Sequence, residues 1–174
     1  MKKRIYCNFV VSSVGKIGVV FTGKEVLRIG LRVQKRNFLK IVEKEFGCMV
    51  KIKKNSLFKD FSQEIKEYFE GKRKRFDIPV AIDGTDFQVK VWLCAMKIPY
   101  GKTVTYGVLA KEIKRPKAAR AVGGAMRRNP LPLLIPCHRV IGVDGKLVGF
   151  QPSIEIKKFL LNLEGALPPP TSYR

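Results

Sequence analysis

A thiol stands directly before the only histidine of the chain, in Leu134-Ile135-Pro136-Cys137-His138-Arg139-Val140-Ile141-Gly142. The thiolate is the reactive form of cysteine, and an imidazole or a cation nearby lowers its pKa. Cys137 followed by His138 and Arg139 therefore reads as a candidate reactive thiol. Prolines at 130, 132 and 136 fix φ along the approach and present the thiol from a stiff segment. The opposing reading is a small buried hydrophobe, since adjacent side chains often point apart and the neighbours of this cysteine are apolar.

The remaining thiols carry less. Cys7, Cys48, Cys94 and Cys137 lie about forty residues apart with no Cys-x-x-Cys pair. One histidine cannot complete a typical zinc set, so no metal site is expected. Cys7 falls in a strand-like run, Cys48 after a helix and Cys94 in an apolar helix, and all three read as structural.

The composition narrows the partner. The 174 residues allow one or two small domains, and 45% hydrophobic content implies a folded core. Lys and Arg number 35 against 14 Asp and Glu, a net charge of +21. Such an excess attracts polyanions, nucleic acid first and an anionic membrane surface second. No apolar run approaches the roughly 20 residues that span a bilayer. The Met-Lys-Lys-Arg start lacks a following apolar region, interrupted as it is by Asn8, Ser12, Ser13 and Lys16, so a soluble cytoplasmic protein is expected.

The elements that must position the thiol fall into two groups. Ile5–Ser12, Lys16–Phe21 and Glu25–Leu31 are β-branched-rich runs separated by Gly15 and Gly23, a meander in outline. Asn37–Phe46 has helical spacing with Gly47 as its cap, Cys48–Ile52 suits another strand, and Leu57–Glu70 is an amphipathic helix stopped by Gly71. Lys72–Arg75 is a basic run whose default meaning is a solvated surface. Asp77–Gly84 reads as a connector, dividing residues 1–80 from 84–167, and the proline-rich 168–174 as an extended tail.

Beyond the connector, Asp86–Met96 has helical spacing, Ile98-Pro99-Tyr100-Gly101 turns, and Thr105 caps a short helix through Ile113. Pro116 is placed to open a helix over Lys117–Arg128. Two short helices joined by a tight turn outline a helix-turn-helix. Ala118, Ala119, Ala121, Gly123, Gly124 and Ala125 leave the second helix almost without bulk. That suits either close helix packing or close approach to a DNA groove, with Lys117, Arg120, Arg127 and Arg128 on phosphates or bases. Residues 111–139 carry eight basic side chains against Glu112 alone, which favours the DNA reading.

Ile98–Tyr106, Ala118–Met126, Asn129-Pro130, Ile135–Val140 and Leu160-Leu161 with Glu164-Gly165, together with Phe87-Gln88 and Val91-Trp92, stand in an order and spacing that resembles the O6-alkylguanine-DNA alkyltransferases. The likeness is continuous over residues 84–165; before residue 80 it extends only to the strand-and-helix outline. It implies an α/β fold: an α/β roll with an antiparallel sheet, then a mainly helical, winged-helix-like DNA-binding domain. It also implies a monomer without a cofactor, binding double-stranded DNA that holds O6-alkylguanine. The alkylated base leaves the stack, because its neighbours obstruct attack within it, and its alkyl group passes irreversibly to the protein.

The same resemblance implies roles. Cys137 is the acceptor, His138 a base acting through water, and Glu164 the group that orients it. Asn129 braces the turn before the thiol, and Tyr106 rotates the phosphate and protonates the departing guanine. Arg120 fills the stack behind the flipped base, with Lys117, Ala119, Gly123, Met126 and Arg127 also on DNA. Met126, Pro132, Val140, Phe150 and Gln151 line the pocket, the carbonyls of Cys137 and Val140 accepting from the guanine amino group. The chain departs from the family at Gly149-Phe150-Gln151-Pro152-Ser153, where Tyr and Gly-Gly are usual, so bulky O6-substituents are expected to be handled differently from methyl. A transcription regulator with the same helices leaves Cys137 and Glu164 without a purpose. A lesion sensor lacks the acceptor cysteine, and a cysteine hydrolase needs an oxyanion motif that is not recognisable here.

Overall fold

The computed structural model describes residues 4–151 and 153–167, and these divide into two compact units. The first comprises residues up to Asp83 together with Pro130–Leu134; the second comprises Gly84–Asn129 and the chain from Ile135 onward.

In the first unit β1 (Tyr6–Ser12), β2 (Gly15–Phe21) and β3 (Val26–Gly30) form the antiparallel meander, paired Cys7 to Val20 and Val19 to Ile29. The run at 48–52 yields only a two-residue strand, β4 (Lys51–Ile52), which lies parallel to β1 at the sheet edge, giving the order β3-β2-β1-β4. The connector is partly ordered by the sheet. Val80 bridges Val26, whose N–H donates to Pro79 O and whose carbonyl accepts from Ala81.

Helices α1 (Lys35–Phe46) and α2 (Ser56–Phe69) supply the rest of this core. Phe38 and Val42 of α1 pack on Cys7 and Val20. The Phe38 ring fits a slot left by the paired glycines 18 and 30, where a Cβ would come within 2.5 and 2.6 Å of it. Phe61, Ile65 and Tyr68 of α2 are buried, and Phe58 stacks on Phe21 at 5.9 Å. Gly47 and Gly71 end the two helices with φ of 61° and 72°, a conformation glycine adopts without a Cβ penalty. The basic run after α2 is largely exposed, as its default reading has it, and its charges are paired there. Arg73 reaches Glu64, Glu67 and Asp77, Arg75 reaches Asp77, and Lys72 reaches Glu70.

In the second unit α3 (Asp86–Ala95) starts from a capping box of Thr85 and Gln88. Thr105 caps α4 (Tyr106–Glu112) through the N–H of Val108. α5 runs only over Ala119–Arg127. Pro116 does not open it: the N–H of Ala118 donates to Arg115 O, so residues 115–118 close a tight turn and Lys117 stands ahead of the helix. The indole N–H of Trp92 on α3 donates to Ala125 O on α5 at 2.9 Å, fixing the helix pair. A short parallel ladder joins β5 (Val104–Thr105) to β6 (Val140–Ile141), and α6 (Ile154–Leu163) closes the unit. No helix of the described residues is long and apolar enough to cross a membrane.

Candidate active site

Cys137, His138 and Arg139 form one 3₁₀ turn between Pro136 and β6, and all three are buried. Such a turn sends successive side chains in different directions, so the thiol and imidazole acquire different partners. Cys137 Sγ lies 3.0 Å from Asn129 Nδ2, which also donates to Ile135 O at 2.8 Å. Asn129 thus fastens the end of α5 to the strand of chain carrying the thiol.

His138 turns the other way. Its Nε2 is 2.8 Å from Glu164 Oε1, at the C-terminal cap of α6, and its Nδ1 is buried. Arg139 holds the same carboxylate, Nε on Oε2 at 2.8 Å and Nη2 on Oε1 at 3.0 Å, and its Nη1 donates to Ile98 O at 2.7 Å. The N–H of Gly101 completes the carboxylate's environment at 3.2 Å. A carboxylate this buried is stable only when paired and hydrogen-bonded, and Arg139 supplies a two-point clamp. The arginine of the tetrapeptide therefore belongs to Glu164, not to the thiol.

The electrostatics correct the simplest reading of Cys-His-Arg as a pre-ionised thiol. Burial pushes the Cys137 thiol up to about 11, and outweighs the opposing pull of Asn129, of the Lys157 charge and of the N–H groups of Cys137 and His138. Burial also holds His138 below its ordinary range, against the raising influence of Glu164. The resting pair at neutral pH is a thiol and a neutral imidazole, and a neutral imidazole can accept a proton. Tyr106 is raised to about 12, by burial first and then by the negative charge of an ionised Cys137, so its phenol keeps its proton.

Lys157 escaped the sequence reading. It is fully buried, and its Nζ donates to the carbonyls of Val140 at 2.6 Å and Val148 at 2.9 Å. Burial lowers it to about 8 while an ionised Cys137 pulls it back up, which leaves it mostly charged at pH 7. The signal was present: the buried positions of α6 are 156, 157, 160 and 161, and a lysine lies on that apolar stripe.

The carbonyl of Val148 also accepts from the Tyr106 hydroxyl at 2.9 Å. Gly149, at φ 68°, follows so closely that a Cβ there would lie 2.8 Å from the same hydroxyl. Beside Tyr106 opens a groove of about 670 Å³ lined by Ala119, Arg120, Gly123, Gly124, Arg127 and Arg128 as well as residues 148–149. Gly123 and Gly124 are not forced by internal packing, since a Cβ would meet nothing nearer than 3.8 and 3.9 Å. Between the two explanations of the bulk-free helix, this favours approach by something outside the protein.

The other predicted residues are distributed unevenly. Met126, Val140 and Phe150 are buried, Gln151 is exposed, and Lys117 is exposed in the turn before α5, outside the residues lining the groove. Pro132 is buried in the segment that clusters with the first unit. The carbonyls of Cys137 and Val140 already accept from the Val140 N–H and from Lys157, each keeping one lone pair for a ligand. Pro152 and the tail from 168 lie outside the described residues. Among the described residues no cluster of three His, Cys, Asp or Glu side chains is arranged to hold a metal.

A thiol enzyme working against a basic, helix-lined groove is the class this arrangement defines. Residues 86–166 match the DNA-binding domain of 6-O-methylguanine DNA methyltransferase, and residues 5–82 match that family's ribonuclease-like domain. The chain belongs to the 6-O-methylguanine DNA methyltransferase family. It is 39% identical over 157 residues to the inducible methylated-DNA–protein-cysteine methyltransferase of Bacillus subtilis, covering 90% of this chain and 84% of that one. It is 49% identical over 115 residues to the Methanosarcina acetivorans methylated-DNA–protein-cysteine methyltransferase, covering 66% and 74%. Its fold matches the O6-methylguanine methyltransferase of Mycobacterium tuberculosis with a TM-score of 0.79 at 32% identity, over 95% and 96% of the two chains. A structure of the M. tuberculosis protein in complex with DNA matches at 0.80 with 33% identity, over 92% and 93%.

Proposed function

We propose that this chain repairs duplex DNA by moving the alkyl group of O6-alkylguanine onto Sγ of Cys137, once per molecule. The observation that carries this reading is the thiol held 3.0 Å from Asn129 within a unit whose imidazole, 2.8 Å from Glu164, stays neutral and able to take a proton. The thiol proton passes to His138 through a water. The sulfur forms a bond to the alkyl carbon as the carbon–O6 bond breaks, and the electron pair of that bond stays on guanine. Tyr106 donates a proton to the guanine, and the proton held by His138 restores the phenol, so thiol and alkylguanine become thioether and guanine with nothing left over.

With Nε2 of His138 on Glu164, Nδ1 takes the base role in this reading. Arg120 fills the space of the extruded base, while Arg127 and Lys117 hold phosphates and Ala119, Gly123 and Met126 let the backbone come near. Val140, Phe150 and Gln151 bound the base. The protein works as a cytosolic monomer without a cofactor. Its domains divide functionally near residue 84, with all of the chemistry in the second.

The test is intact and peptide mass after mixing the protein with duplex carrying one O6-methylguanine. The expected result is a single added methylene on the Cys137 peptide, saturating at one per protein. Tight lesion binding with no mass change would make the chain a sensor instead, and Cys137→Ser should bind but transfer nothing.

A further inference from the structure

The first unit has no part in the chemistry above, yet it holds more than half of the excess charge. Residues 1–83 contain 20 Lys and Arg against 9 Asp and Glu, a net +11 of the chain's +21. The acids are not spread among the bases. Glu45 is taken by Arg28, and Glu64, Glu67, Glu70 and Asp77 are taken by Lys72, Arg73 and Arg75. At the opposite edge of the sheet the cations are left over. Arg4, Lys51, Lys53 and Lys54 are exposed, and among the described residues neither they nor Lys24 pair with a carboxylate.

Lys53 among them is also held in place. Lys53 donates its N–H to Cys7 O at 3.2 Å, and its carbonyl accepts from Nδ2 of the buried Asn8 at 2.9 Å, so the segment after β4 is fastened to β1. Its ammonium lies 5.0 Å over the Tyr6 ring. Lys51 and Lys53, two residues apart, project on the same side about 7 Å from each other. Two grooves meet here and share Arg4 and Tyr6, one of about 510 Å³ with Lys51 and Lys53, the other of about 420 Å³ with Lys24 and with Glu25 as its one acid. Unpaired cations on a fixed edge, with an aromatic ring among them, match the chemistry of a phosphodiester backbone.

We propose that the sheet edge formed by β4 and the start of β1 is a second nucleic-acid surface, which follows phosphates without reading bases. The proposal rests on the reading that the second unit engages duplex DNA. Once one unit is bound, the covalent link holds the other at high effective concentration near the same polymer, and each contact adds affinity that salt removes.

The test is the salt dependence of binding by the full chain. K51Q/K53Q/K54Q and wild type are titrated into a short undamaged duplex by fluorescence anisotropy over a series of salt concentrations. Each lost phosphate contact removes about 0.9 from the slope of log K against log salt, so a slope flatter by about 2 to 3 is expected. An unchanged slope overturns the proposal. Because the strand is short, K54E alone provides a variant outside it, and its slope should fall by about 1.

Two controls separate the failures. R127Q/R128Q should flatten the slope through the groove of the second unit. If it does and the triple variant does not, this inference alone falls; if neither does, the DNA reading falls with it. Flotation with phosphatidylserine vesicles addresses the other polyanion, and vesicle binding lost in the triple variant with an unchanged DNA slope overturns the proposal in favour of a membrane. Methyl transfer from free O6-methylguanine base should match wild type in the triple variant.

Discussion

Asn129 and Cys137 meet at 3.0 Å, and the same amide nitrogen holds Ile135 O at 2.8 Å. One side chain therefore sets the path of the backbone into the thiol and also supplies a hydrogen-bond donor to the sulfur. The donor favours the charged form of a group that burial otherwise keeps protonated.

Asn129→Ala should slow alkyl transfer by about 100-fold, the scale on which a positioned donor to a developing anion acts. Single-turnover transfer from O6-methylguanine duplex measures it. Asn129→Asp, which sets a carboxylate against the sulfur, should be worse still. Equal rates in wild type and Asn129→Ala would remove this residue from the mechanism.

Cys137 should be the slower of two thiols to alkylate with iodoacetamide. Cys48 is exposed, whereas Cys137 is 5% exposed with its thiol pushed up to about 11. Raising pH increases the thiolate, the reactive form, by about tenfold per unit while pH stays below that value. Peptide mass after timed labelling at pH 8 and pH 10 should show Cys48 labelled first at the lower pH and Cys137 gaining steeply at the higher.

Arg139→Met should destabilise the protein by about 3–5 kcal/mol, because it leaves Glu164 buried without its cation. Equilibrium urea unfolding reads the loss. A variant as stable as wild type would show that Gly101 and His138 suffice to hold the carboxylate.

Gly124→Ala separates folding from binding. The substituted Cβ meets only Arg128 Nη1 at 3.9 Å, so the fold has room for it. Alanine should stabilise α5 by about 1 kcal/mol while lowering duplex affinity, because the groove loses its closest approach. A thermal melt and an anisotropy titration should move in opposite directions.

The sequence foretold most of what depends on local chemistry. Gly47 and Gly71 do stop their helices, Thr105 caps α4, and the meander has the pairing that its alternation and turns require. What it could not foretell depends on distant partners. Val80 pairs with Val26 only because β3 has an available edge, and Pro116 falls in a turn because Ala118 finds Arg115 O first. Neither Lys157 nor the carboxylate held by Arg139 can be assigned from neighbours in the chain, since each partner lies on another element. The thiol's raised pKa has the same origin: proximity of Cys, His and Arg in sequence predicts a lowered value, and burial reverses it.

Val148 offers one carbonyl to both the phenol of Tyr106 and the ammonium of Lys157. Exposed loops ordinarily accept insertions and deletions over evolutionary time. The stretch between β6 and Val148 is largely exposed but has no such licence. Adding or removing a residue there would draw the shared oxygen away from two side chains at once, so its length is set by where its end must arrive, and change along this surface is confined to exchanging one residue for another.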